Sequence, residues 1–268
     1  MKNLIIQKLK EAEFNYNITI LFAVESGSRA WGFPSTDSDY DVRFIYKRNM
    51  KDYLSITNFP DFIDVELNEI YDIKGWDIEK ALRLSIQSNA STYEYVQSPI
   101  YYIRQPDFEK EFKDVIWSQF QPKKLAAHYL GITTKRLMTL EKADTMQLKS
   151  LFYALRSVLA ALWIHTYQTV PPMAFRKLSL LIPNELNPRI NELIKLKANV
   201  DEKYFIEVDE SIIQWIKTTY STLKSIILNL PNKEVDINIV DEFFYKTVTN
   251  EINYKRFKGK EPNITRMH

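Results

Sequence analysis

Hydrophobic and polar positions change period more than once along the chain. Leu4, Ile5, Leu9 and Ala12 recur at helical spacing and predict an amphipathic helix over about residues 2–14. Residues 18–24 form a dense β-branched and aromatic run, the pattern of a buried central strand. In residues 40–46, Val42 and Phe44 alternate against Asp41 and Arg43; in residues 62–67, Ile63, Val65 and Leu67 alternate against Asp64 and Glu66. Three strands are therefore expected in the N-terminal part, and none beyond Gly75. From there Ile78, Ala81, Leu82 and Ser85 follow a helical period behind Asp77, a residue type that caps helix starts.

Helices are expected to dominate the rest. Over residues 147–166, Leu148, Leu151, Phe152, Leu155, Val158, Leu159 and Leu162 form a wide apolar stripe. Away from that stripe Lys149, Tyr153, Arg156 and Ala160 fall on one line, a face suited to border a cleft. Pro171 and Pro172 break the chain, and further helical periods follow near 190–196, 212–228 and 240–252. The expected division is a mixed domain over 1–110, a helical domain over 111–254 and a basic tail over 255–268. That tail carries Lys255, Arg256, Lys258, Lys260 and Arg266 against Glu261.

Composition narrows the chemistry. With 45% hydrophobic and 26% charged residues in 268, the chain buries a core and is not a disordered polymer. It has no Cys, which excludes disulfides, iron–sulfur clusters, zinc knuckles and thiol nucleophiles. Its net charge of +2 gives no general attraction to nucleic acid or anionic membrane, so such a partner needs a local patch. The start lacks a signal-type apolar run and no window reaches the length of a membrane span, so a cytoplasmic location is expected.

One stretch concentrates chemistry: a strand, then Gly27-Ser28, a short helix, and a strand opening on Asp39-Tyr40-Asp41. Gly27 lets backbone approach a phosphate, and Ser28 with the unpaired amides of the helix start can donate to its oxygens. Asp39 and Asp41, two apart in extended chain, point to one side. Carboxylates so placed suit Mg²⁺, and a third acid from an adjoining strand lets the set hold two ions. Asp64 and Glu66 both satisfy that alternation; Asp64 is placed first and Glu66 is its substitute.

These residues resemble the DNA polymerase β-like nucleotidyltransferase superfamily. More narrowly, Gly27–Phe33, Ser38–Arg43, Gly75–Leu82, Ser98–Ile100 and Tyr153–Arg156 are similar to the bacterial and phage YcgL-like family of predicted nucleotidyltransferases, some labelled RNA-repair-pathway polymerase-β-like. The resemblance implies an α+β fold, a polymerase-β-like palm with a small mixed sheet followed by a mainly helical C-terminal domain. It implies transfer of a nucleoside monophosphate from NTP to an acceptor hydroxyl, an RNA end foremost, with pyrophosphate released. Asp39, Asp41 and Asp64 would bind two Mg²⁺ ions, with Mn²⁺ the alternative, and Asp64 or Glu66 would accept a proton. Gly27 and Ser28 would hold the triphosphate; Arg29, Ser38, Lys149, Tyr153 and Arg156 complete the nucleotide-facing set. The resemblance transfers no role to Arg29 or Arg43; Arg29 is placed in that set by its position beside Ser28.

Other readings follow from the same residues. The acceptor can be a protein side chain or a small molecule, as in antitoxin-like and aminoglycoside-directed relatives of the fold. A non-catalytic nucleotide sensor would retain the fold without turnover, although an unfilled carboxylate cluster repels itself. His128 and His165 are expected to pack within apolar helices, Trp76 in the core, and Trp31 near the site.

Overall fold

The computed structural model describes residues 1–140 and 145–249. The basic tail lies outside the described residues.

α1 (Lys2–Tyr16) buries Ile5, Leu9 and Ala12 and stops at Asn17, whose left-handed backbone accommodates the turn into the sheet. β1 (Thr19–Glu25), α2 (Gly27–Trp31), β2 (Tyr40–Lys47), α3 (Met50–Tyr53), β3 (Phe62–Leu67) and β4 (Tyr71–Asp77) follow. Next come α4 (Ile78–Ile86), α5 (Ala90–Tyr95) and β5 (Tyr101–Ile103). The five strands lie in the order β3-β4-β2-β1-β5. β2 and β4 run parallel, Asp41 beside Asp72, while the other neighbours are antiparallel. The fold is α+β with a mixed sheet, as the sequence implied.

The strand count differs from the sequence expectation. β4 runs straight through Gly75, and β5 adds an edge beyond it. A glycine normally weakens a strand, but a Cβ at Gly75 would lie 2.1 Å from the Phe44 ring on β2. The missing side chain makes room for that ring. Asp77 does cap α4, accepting from the Glu79 N–H at 2.9 Å.

The remaining elements are α6 (Pro106–Ser118), α7 (Pro122–Leu140), β6 (Thr145–Gln147), α8 (Leu148–Tyr167) and α9 (Phe175–Leu178). α10 (Asn187–Lys197), β7 (Phe205–Glu207), α11 (Glu210–Ile226) and α12 (Ile237–Thr249) complete them, with β6 and β7 forming a small ribbon. Residue 110, where the sequence reading divided the chain, falls inside α6. One face of the sheet packs on α1 through Ile5 and Leu9. Its other face packs on Ile78, Phe108, Phe112 and, from the far end of the chain, Val240 and Phe243. A separate helical core centres on Leu151, Phe152, Leu155 and Leu159 of α8, and Phe33, Ala90 and Tyr93 from the first half join it. That shared core brings α7 and α8 against the loops where β1 and β2 meet. Among the described residues no helix is long and apolar enough to cross a membrane.

Candidate active site

β1 ends at Glu25, and the Ser26 N–H donates to the Asp41 carbonyl at 2.7 Å. The chain then turns through Gly27 with φ +60°. A Cβ there would stand 1.9 Å from Asp41 Oδ2, so only glycine lets that carboxylate lie against the turn. Gly32, at φ +94°, ends α2 by donating to the Ser28 carbonyl. Arg29 does not point into open space: its guanidinium bonds the carbonyls of Ser38 at 2.6 Å and Asp39 at 3.0 Å and lies 4.2 Å over the Tyr40 ring. It fastens the loop that presents Asp39. Ser28 is buried and donates to Ser38 Oγ at 3.0 Å.

Asp39 and Asp41 stand together, as the spacing required. Burial and the neighbouring Asp39 charge push the Asp41 carboxyl up to about 6; burial and Glu202 raise Asp39. The third acid beside them is Asp72. It lies next to Asp41 across the parallel β2–β4 pair, and Arg43 bridges the two, 3.2 Å from Asp41 and 2.6 Å from Asp72. Asp64 and Glu66 are not brought to this cluster. Both sit on β3, which β4 separates from β2. Asp64 faces Lys74 in the ladder, and Glu66 pairs with Lys8 at 2.6 Å and Asn68 at 2.7 Å. The unread strand β4 displaced them. The signal was present as Tyr71-Asp72-Ile73, the same hydrophobic–acid–hydrophobic alternation.

Beneath Asp41 lies Glu25, fully buried. Its carboxylate accepts from the Asp41 N–H at 2.9 Å and from the Tyr102 hydroxyl, and burial pushes it up to about 7. Sequence reading missed it, because a lone Glu at a strand end carries no signal.

The helical half closes the other side. Glu202, between α10 and β7, accepts from Ser38 Oγ at 2.9 Å and pairs with Lys149 of α8. Its own N–H donates to Asp37 at 2.8 Å. Thr36 N–H bonds the Val200 carbonyl at 3.1 Å, and the buried Lys197 donates to Ser35 Oγ at 2.6 Å. The 35–38 loop is thus stitched to residues 197–202. Tyr153 sits edge-on to Trp31 at 5.0 Å; burial and the Asp41 charge raise its hydroxyl pKa. Arg156 is buried, 3.0 Å from Glu94 and 4.3 Å over Trp31. Trp31 and Tyr129 also donate to Glu94, at 3.1 and 2.8 Å.

A pocket of about 580 Å³ opens between these groups, lined among others by Trp31, Glu94, His128, Lys135, Arg136 and Tyr153. His128 and His165 are exposed and not packed in apolar surroundings, because the stripes of α7 and α8 turn other positions inward. Trp76 does pack, 5.1 Å from Tyr95.

The donor set fits a hard cation. Among the described residues no three acids or histidines already form a metal cage. Yet two half-buried carboxylates stand together at raised pKa, and Asp72 Oδ1 is buried without a hydrogen bond, with the Lys74 ammonium 3.2 Å away. Arg43 supplies the positive charge that keeps Asp41 and Asp72 together.

Comparison with known proteins shows the family. The family described as RNA repair pathway DNA polymerase beta family matches residues 1–246. YcgL of Bacillus subtilis (strain 168), itself described as uncharacterized, is 34% identical over 239 residues, which cover 88% of this chain and 92% of that protein.

Proposed function

Because the chain belongs to the RNA repair pathway DNA polymerase beta family, we propose that it transfers a nucleoside monophosphate from an NTP to the hydroxyl of an RNA end. The observation that carries this reading is the convergence of Asp39, Asp41 and Asp72 on the Gly27 turn. The acceptor oxygen forms a bond to the α-phosphorus, the bond from that phosphorus to the bridging oxygen breaks, and pyrophosphate leaves. Negative charge grows on both the entering and the leaving oxygen. Asp39, Asp41 and Asp72 would hold Mg²⁺, or Mn²⁺, which when bound acidifies a hydroxyl and neutralises phosphate charge. The Asp72 carboxylate is the acceptor for the hydroxyl proton.

The chain's other groups orient. Arg29 fixes the carbonyls on either side of the Ser38–Asp39 peptide, and Arg43 spaces Asp41 from Asp72. Lys149 and Tyr153 face the acids from α8, where an ammonium and an aromatic ring suit a phosphate and a base. Gly27 and Ser28 remain the proposed triphosphate contacts, Ser28 acting also through Ser38. Arg29, Ser38 and Arg156, bonded within the protein, serve the nucleotide by shaping its pocket.

The test is transfer of label from each α-labelled NTP to RNA in Mg²⁺, with pyrophosphate followed in parallel. Asp41→Asn and Asp72→Asn should each lower turnover by roughly 10²–10⁴-fold with the fold retained by circular dichroism. Full activity in Asp72→Asn together with loss in Asp64→Asn would return the third acid to β3. NTP binding without turnover in the wild type would favour a sensor.

A further inference from the structure

The pocket beside the acids continues along an exposed face of α7, and that face is cationic. Lys124, His128, Gly131 and Lys135 are all exposed. At 3.6 residues per turn they fall within about 60° of the helix circumference and span about 16 Å. His128 and Lys135 also line the pocket, so the face and the pocket are continuous. At Gly131 a Cβ would meet nothing within 4 Å, which leaves the helix backbone open to close approach.

The charge balance sets the kind of partner. Among the described residues that line it, the pocket holds Lys135, Arg136 and Arg156, with Glu94 as the acid. Glu94 is already engaged by Arg156, Trp31 and Tyr129. Among the described residues neither Lys124 nor Lys135 pairs with an acid, so both ammonium groups face water. Two unpaired cations along a line, an imidazole between them, and Trp31 and Tyr153 at the inner end match alternating phosphates and bases of a single strand. The net charge of +2 for the whole chain makes this a local feature and not a general one.

We propose that this face of α7 is the track for the acceptor: single-stranded RNA runs past Lys124, His128, Gly131 and Lys135 and delivers its terminal hydroxyl to the Asp39–Asp41–Asp72 cluster. The proposal rests on the nucleotidyltransfer reading for its chemistry, but the binding it describes needs no NTP. A single strand suits the face better than a protein does, because its exposed side chains are cationic and aromatic and not a broad apolar patch.

The experiment is anisotropy of a 5′-labelled oligoribonucleotide with a free 3′ hydroxyl, titrated with the full chain, without NTP, at several salt concentrations. Wild-type protein should bind, and a Lys124→Ala/Lys135→Ala pair should weaken binding tenfold or more. The slope of log affinity against log salt should fall by about 1.4, about 0.7 for each lost phosphate contact. A Lys124→Arg/Lys135→Arg pair should bind as wild type, separating charge from folding. No RNA binding by the wild type, or the same affinity and slope in the alanine pair, would overturn the track. If label then passed from NTP to a protein acceptor, nucleotidyl transfer would stand while the RNA track fell.

Discussion

Glu25 touches no solvent, yet its carboxylate takes the Asp41 N–H and the Tyr102 hydroxyl. Its folded value of about 7 lies above the ordinary 4.5, so folding favours the protonated form. The unfolded chain releases this proton first as pH rises. Stability is therefore complete below about 4.5 and is lost as pH climbs towards 7, and Asp41 acts in the same sense between 3.8 and about 6. Glu25→Gln, which keeps an acceptor for the Asp41 N–H, should be neutral at pH 4. At pH 8 it should gain on the order of 3 kcal/mol, read by urea unfolding without divalent cation. Gly27→Ala tests the tight turn: φ +60° and the 1.9 Å approach to Asp41 together should cost about 1–3 kcal/mol and remove transfer. Wild-type melting temperature and activity in that variant would show that Asp41 moves aside freely.

Among elements, the 35–38 loop is the one whose order depends on distant chain. Glu202→Ala removes the acceptor for Ser38 and the partner of Lys149. Hydrogen exchange at residues 36–39 should rise, and transfer should fall about tenfold or more through looser placement of Asp39. Unchanged exchange there would mean that Arg29, Lys197 and the backbone bonds to residues 200 and 202 hold the loop without the Glu202 side chain. The sequence made β1, β2 and β3 legible through their alternation, and the Gly27-Ser28 and Asp39–Asp41 spacing located two of the three acids. It hid β4, because the alternation of Tyr71, Ile73 and their polar neighbours is short and runs into Gly75 and the helix cap Asp77, which read as a turn before a helix. Pairing is non-local: nothing near Asp72 announces that its strand inserts beside β2 and leaves Asp64 and Glu66 on the edge. Glu202 was equally silent, since only the fold brings residue 202 to residue 38.

At the scale of the whole molecule, the last described helix returns to the first half. Phe243 of α12 packs 5.8 Å from Phe108 and 6.0 Å from Phe112, beneath the same sheet that carries the acids. Phe243→Ala should cost about 3–5 kcal/mol, and unfolding followed at the sheet and in the helical core should show the loss at the sheet. Equal loss at both would make the molecule one cooperative unit. The return of α12 also orders events during synthesis. While the ribosome is still adding residues 237–249, α4 and α6 can already cover that face of the sheet, but Phe108 and Phe112 still lack Phe243 as their neighbour. The layer behind the sheet reaches its native packing only when translation has run through that helix, so a polypeptide released before residue 237 would carry Asp41 and Asp72 on a support that lacks this outer layer.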